Sequence, residues 1–371
     1  MQTLSQDPAA PGFVADPYTF YDRLRDAGPL AMWEEYAMPV AAGRAMVDAL
    51  LRDRRFGRAD PAPPARPAHQ SEFWAVEDHS MLELDGPRHA RLRGQVLRAF
   101  TSRAIAALEP GIETLAETLI AAFPDGPFDL LDAFARPLPV RIIARLLGVP
   151  EADAPRLLAW SNAMVGMYQA GRTRAMEEAA AGAARDFSSY LDARLADAPT
   201  ALAARLLEVE AEGGIDRPEL IATCILLLNA GHEATVHTLG NGVAGLIRAG
   251  LWGAPMTEAT VEEVLRHDPP LHLFVRYAQE AVEMGGHRFA RGDRVGLLLG
   301  AANRDPAVYP DPARFDPGRF PAAPVPVSFG AGAHFCLGAP LARMELRIAL
   351  CALMRRCPDL TLAEAPVYAP I

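Results

Sequence analysis

Cysteine is scarce in this chain. Four occur in 371 residues, Cys224, Cys336, Cys351 and Cys357, and no two form a C-x-x-C pair. That argues against a structural zinc site, and so few thiols suit a reducing, cytoplasmic setting. A long hydrophobic run is also missing. The most apolar stretch, LIATCILLLNAG at 220–231, falls short of the ~20 residues a membrane-spanning helix needs. The first residues, MQTLSQDPAAPGFVADPYTFYDRL, lack a basic segment followed by an apolar core, so no signal peptide is expected. Basic charge is in deficit, 36 Lys and Arg against 46 Asp and Glu, and the net charge of −10 argues against nucleic acid as a partner. No G-x-G-x-x-G follows a strand pattern, so no flavin or nicotinamide domain is visible. No internal repeat is found.

What is present is helical. Half of the residues are hydrophobic, ample for a large core, and length alone is compatible with two domains. Ala, Leu, Arg and Glu recur at helical spacing from 100 to 250. The strongest pattern runs from Gly214 to Gly250, with Asp216 to cap it, Pro218 in its first turn and Gly250 to close it. At ~1.5 Å per residue that helix is roughly 45 to 50 Å long. Strand signals are few: MWEEYAMPVA near residue 35, and the stretch from His272 to Ala302, which reads as a small hairpin sheet turning at Gly285-Gly286. Two proline-rich stretches are loops, 60–70 and 305–328. The second reads as an ordered meander or a linker, with Phe315, Arg319 and Phe320 as anchors.

One stretch carries chemistry: SFGAGAHFCLGAPLARMELRIAL, residues 328–350. Cys336 stands among Gly330, Gly332, Gly338, Phe329 and Phe335, just before a helical pattern. Unpaired N–H groups and the positive end of a helix dipole stabilise a thiolate. Glycines let the backbone approach a flat partner, and the two phenylalanines can shield sulfur from water. An ordinary buried cysteine needs none of this. The whole pattern F-G-x-G-x-H-x-C-x-G is present.

This segment resembles the haem-binding loop of the cytochrome P450 family, and the chain is similar to its soluble bacterial members from about Asp16 to about Leu362. The resemblance implies a mainly α fold with a small β region. It implies one catalytic domain over 1–371, with haem b between the long helix and the cysteine loop and Cys336 as axial iron ligand. It assigns His89 and Arg93 (H-x-x-x-R), Arg276 and His334 to the haem propionates, and Ala230, Gly231, Phe329 and Gly338 to the haem surroundings. Glu263 and Arg266 (E-x-x-R), joined by Arg319 of FDPGR, are expected to form a buried structural network rather than a surface ion pair.

The family pattern on the long helix is A-G-x-[DE]-T-[TS], and this chain reads AGHEAT. Glu233 and Thr235 remain as proton-delivery candidates, while Ala234 replaces the usual threonine. Gly231 is read either as close helix packing or as room for oxygen. His232 and His237 do not share a face and are read as polar helix residues. By family position the substrate pocket draws on Phe73, Trp74, Val76, Met81, Leu226, Asn229, Leu271, His272 and Phe274, apolar with two polar handles.

The implied activity is insertion of one oxygen atom from molecular oxygen into a small-to-medium hydrophobic substrate. Electrons would come from a ferredoxin and its reductase, docking on arginines around 88 to 98 and Arg343. A peroxide-driven oxygenase and a haem-thiolate sensing protein are the alternatives. A monomer is expected, with no membrane and no nucleic-acid partner. Two departures stand out: the segment RAGLWGAPMTEAT is short for the family, implying a trimmed helix, and the chain stops at AEAPVYAPI, without the family's usual terminal hairpin.

Overall fold

The computed structural model describes residues 1–169, 171–195 and 201–368, and of Ala201 only the backbone. Helices dominate, as expected. The longest runs Arg217–Arg248, 32 residues. Asp216 Oδ1 accepts from the Glu219 N–H at 2.8 Å while Glu219 accepts from the Asp216 N–H at 3.2 Å, a reciprocal cap. At the other end Gly250 is left-handed, with φ +68°. Its N–H reaches the Ile247 carbonyl and the Leu251 N–H reaches Leu246, the paired bonds that terminate a helix at glycine.

The chain divides into two compact units. The first comprises residues 1–63, 237–339 and 349–371. It holds the strands β1 (Thr3–Leu4), β2 (Ala31–Trp33), β3 (Met38–Ala41), β4 (Phe56–Gly57), β5 (Leu273–Ala278), β6 (Val282–Met284), β7 (His287–Phe289) and β8 (Arg294–Leu298). Six of them form one sheet in the order β1-β2-β3-β8-β5-β4, and β6-β7 is a separate hairpin. The Gly285-Gly286 turn lies between β6 and β7, with φ +60° and +75°. The expected hairpin sheet is therefore two structures, because β5 and β8 pair antiparallel around the β6-β7 ribbon and join the N-terminal strands through β3. Gly296 makes that junction possible, since a Cβ there would lie 2.8 Å from Val40. The end of the expected strand stretch, from Leu299 on, belongs instead to a short helix, Leu299–Asn303.

The 305–328 stretch is an ordered meander rather than a linker. Phe315 packs on Gly245 and lies 5.3 Å from the His267 ring, and Arg319 donates to the carbonyls of Pro310, Asp311 and Arg314. Between the long helix and the helix Glu258–His267 the chain makes only turns and coil.

The second unit comprises residues 64–236 and 340–348. Its helix Pro137–Leu147 follows a π-helical turn at Leu131–Ala135 and ends at Gly148 in the left-handed region. The helix Gly86–Ala99 carries Pro87 near its start, where a missing N–H costs nothing. The helix Arg174–Leu195 buries Ala180, Ala181, Ala183 and Ala184, small side chains that allow close packing on the helix Ala154–Val165. No described helix is long and apolar enough to cross a membrane.

Candidate active site

In the first unit the cysteine loop is built by backbone. Cys336 donates its N–H to the Phe329 carbonyl at 2.9 Å, and Gly330 donates to Val327 at 2.7 Å. Gly330 and Gly332 have φ +67° and +69°, a region that strains residues with a Cβ. A Cβ on Gly332 would lie 2.4 Å from the Leu51 carbonyl oxygen, so the loop is seated directly on the helix Arg44–Arg52. Phe274 of β5 also packs against the loop. Its ring would be 3.4 Å from a Cβ on Gly330, and the His334 carbonyl 3.9 Å.

Cys336 itself is exposed, and Phe335 beside it is 40% exposed. Phe329 and Phe335 pack edge to face, centroids 6.5 Å apart. The helix Ala339–Arg356 starts three residues after Cys336, with Gly338 as its cap. A Cβ on Gly338 would come within 3.9 Å of Sγ, so glycine leaves that flank of the sulfur open. The other cysteines differ. Cys224 is fully buried, and burial pushes its thiol up to about 12. Among the described residues no group of three or more His, Cys, Asp or Glu side chains gathers as a metal site. An exposed thiol on a rigid glycine-rich loop therefore suits an iron that brings its own equatorial ligands, as haem iron does.

Behind the loop lies the network the sequence pointed to. Glu263 and Arg266 are both completely buried. Arg266 donates Nε to Oε2 at 2.7 Å and Nη2 to Oε1 at 2.8 Å, a two-pronged pair. Arg319 Nε lies 3.4 Å from the same carboxylate, and the Asp316 N–H donates to it at 2.6 Å. Arg266 also donates to the carbonyls of Asn303, Pro312 and Arg314. Sequence reasoning missed the continuation. Asn303 Oδ1 accepts from the Val327 N–H, its Nδ2 donates to Ser328 Oγ at 2.8 Å, and Ser328 donates to the Leu265 carbonyl at 2.6 Å. Ser328 immediately precedes Phe329, so the network ends at the cysteine loop. Arg276 is buried in β5, 5.7 Å from the Phe274 ring, and His334 is half-buried in the loop.

His272, expected as a polar handle, has partners within the protein. Its Nδ1 is 3.1 Å from the Tyr21 hydroxyl and its Nε2 3.6 Å from Asp268, so both nitrogens are engaged by protein partners. Leu271 beside it is exposed.

In the second unit the long helix presents Leu226, Asn229, Ala230, Gly231, Glu233, Ala234 and Thr235. A Cβ on Gly231 would lie 2.3 Å from Ile143 Cδ1, so the Ile143 terminal methyl fills the space beside this glycine. Thr235 is buried and donates its hydroxyl back to the Gly231 carbonyl at 3.1 Å. Asn229 Nδ2 faces Met164 Sδ at 3.8 Å, and its Oδ1 is buried without a hydrogen-bond partner. His89 is buried and Arg93 half-buried on the helix Gly86–Ala99. Arg91 on the same helix binds Glu219, with Arg88 3.7 Å away. Burial pushes the Glu219 carboxyl up, but Arg91, the Asp216 N–H and Arg88 outweigh it and leave it below the usual range. Two of the arginines expected to form a docking face are thus partly neutralised. Phe73, Val76 and Met81 are buried, and Trp74 lies under Arg66 at 3.9 Å with its N–H on Gln70.

Comparison with known proteins gives the family. The family model described as cytochrome P450 matches residues 253–361. The chain is 37% identical to the cytochrome P450 monooxygenase PikC of Streptomyces venezuelae, over 95% of this chain and 87% of that protein. It is 33% identical to the biotin biosynthesis cytochrome P450 of Bacillus subtilis, over 98% and 94%. Its fold matches that of P450BioI, solved with an acyl carrier protein bearing hexadec-9Z-enoic acid. The TM-score is 0.89 and the identity 32%, with 97% of this chain and 96% of that one covered. The chain belongs to the cytochrome P450 family of haem b monooxygenases.

Proposed function

We propose that Cys336 is the axial haem ligand and that the protein oxygenates a small-to-medium hydrophobic substrate. The observation that carries this is the exposed Cys336 thiol at the end of a backbone-locked loop, with Gly338 leaving the sulfur flank open. Haem held by a thiolate supplies O–O cleavage and oxygen transfer. His89, Arg93, Arg276 and His334 would hold the propionates, since guanidinium and imidazolium groups compensate carboxylates. Leu226, Asn229, Leu271 and Phe274, with Phe73, Trp74, Val76 and Met81, would exclude water around the substrate. The buried Asn229 carbonyl oxygen offers an acceptor to a substrate hydroxyl or N–H.

A ferredoxin and its reductase would supply electrons to a monomeric, cytoplasmic, single-domain enzyme. The test is a reduced carbonyl spectrum, followed by a substrate screen with NADH and a surrogate ferredoxin system. One structural relative binds a carrier-linked acyl chain, so the screen includes long acyl chains both free and carrier-linked. A long-wavelength Soret band and product formation are expected. Haem uptake without that band would overturn the ligand assignment.

A peroxide-driven reaction is the second reading. It is favoured by Ala234, which carries no hydroxyl, and by Thr235, whose hydroxyl is tied back to Gly231. Product formed with peroxide but not with NADH and ferredoxin would select it.

A further inference from the structure

The chain leaves the helix Glu258–His267 through Asp268, Pro269 and Pro270 before Leu271 and β5. Two prolines remove two backbone donors. The turn must be fixed by other means. Next to β5 the Leu299 N–H donates to the His272 carbonyl at 2.8 Å.

Side chains do the rest, and they come from the distant N-terminal helix Tyr18–Asp26. The Tyr21 hydroxyl meets His272 Nδ1 at 3.1 Å, and the Tyr18 hydroxyl donates to Asp268 Oδ1 at 2.8 Å. His272 Nε2 faces that same Asp268 oxygen at 3.6 Å. The two tyrosine rings flank the imidazole at 5.7 and 5.8 Å. Arg304 covers the Tyr18 ring at 3.4 Å and Asn241 donates to the Asp268 carbonyl at 3.0 Å. Gly300 supplies the seat, because a Cβ there would lie 2.9 Å from His272 Nδ1. On one side of His272, Leu271 is exposed; two residues beyond it, Phe274 abuts Gly330 of the cysteine loop.

We propose that Tyr21, His272 and Asp268 are positioning residues that fix the Leu271–Phe274 wall beside the cysteine loop and so set which ligands fit there. The inference rests on the haem-thiolate reading above. His272 acts from behind the wall through Tyr21 and Asp268, not by touching substrate. Losing the Tyr21 hydroxyl or the imidazole nitrogens frees the Asp268–Phe274 segment to shift, and a ligand too small to reach the wall does not sense it.

The experiment compares haem-loaded wild type, Tyr21→Phe, His272→Phe and the double variant. Tyr21→Phe removes only the hydroxyl, while His272→Phe keeps a ring in place but removes both nitrogens and adds some volume. Spectral titration is run with imidazole as the small probe and phenylimidazole as the large one. We expect phenylimidazole affinity to change by about fivefold or more in each single variant, the scale of one lost hydrogen bond. Imidazole affinity should stay within about twofold. The double variant should be no worse than His272→Phe, since that change already removes the Tyr21 contact together with the one to Asp268. Unchanged phenylimidazole affinity overturns the inference. So does an equal loss for both probes, which marks a general structural effect. A wild type whose Soret band responds to neither probe overturns the haem-thiolate reading itself.

Discussion

Arg266 grips Glu263 with two parallel hydrogen bonds, 2.7 and 2.8 Å, and neither side chain is touched by solvent. Removing one partner strands a buried charge, at a cost of roughly 3 to 5 kcal/mol. That is a large share of a typical 5 to 15 kcal/mol stability. Glu263→Ala should therefore yield little soluble, haem-loaded protein. Arg266→Lys should also fail, because an ammonium cannot serve Glu263 and the Asn303, Pro312 and Arg314 carbonyls together. Normal yield and haem content in either variant would count against the network.

Cys336→Ala should abolish the long-wavelength Soret band of the reduced carbonyl complex. Cys224→Ala should keep it, because that thiol is fully buried and held protonated. Cys351→Ser and Cys357→Ser should keep it too. Carbonyl difference spectra of the four variants decide the matter.

Ala234 lacks a hydroxyl, and Thr235 Oγ gives its proton to the Gly231 carbonyl but keeps its lone pairs as acceptors. Ala234→Thr should raise product formed per NADH consumed with surrogate substrates, and Thr235→Ala should lower it with more peroxide released. If coupling and peroxide release are the same in all three proteins, this helix turn does not govern proton delivery.

Gly231→Ala places a methyl group 2.3 Å from Ile143 Cδ1. The helix gains about 1 kcal/mol of propensity, but overpacking costs about 1 to 3 kcal/mol. A lower melting temperature is expected. A valine side chain has no Cδ1, so adding Ile143→Val should restore most of the loss; thermal unfolding of the single and double variants measures it.

Glu345 is buried, its Oε2 has no hydrogen-bond partner, and burial pushes its carboxyl up from 4.5 to about 8. The folded protein then keeps a proton that the unfolded chain releases. No penalty exists below pH 4.5, stability falls as pH rises from there, and the loss is complete above about 8. Glu345→Gln should match wild type near pH 4.5 and exceed it by a few kcal/mol at alkaline pH. Parallel unfolding curves across pH would show the gap widening, and a constant gap would refute the account.

The cysteine loop and the long helix were legible because their signals are local: glycines, a cap and a thiol within a few residues. Glu263 and Arg266 were legible for the same reason, one turn apart. Asn303 and Ser328 were not, because Ser328 finds Leu265 across 63 residues. The contact of His272 with Tyr21 was not legible either, because the two lie 251 positions apart. The strands β1 and β4 are two residues each, too short to show any alternation. Gly231 carried two readings, and the neighbour beside it, Ile143, lies too far away in sequence to be foreseen.

The hydrogen bond from the Cys336 N–H to the Phe329 carbonyl ties the two ends of an eight-residue stretch, 329–336, into a ring. Such a ring measures length. Within it Ala333 is exposed and free to vary, and Ala331 is buried and must stay small, but the number of residues is fixed whatever their identity. One residue inserted between Gly332 and Cys336 would break the closure and turn the sulfur away from its present direction, even with every glycine kept. The meander before Ser328, anchored by separate side chains along its length, has no such counting rule. Tolerance to insertion should therefore change abruptly at Ser328, and a library of single-residue insertions across 305–340 would map that edge.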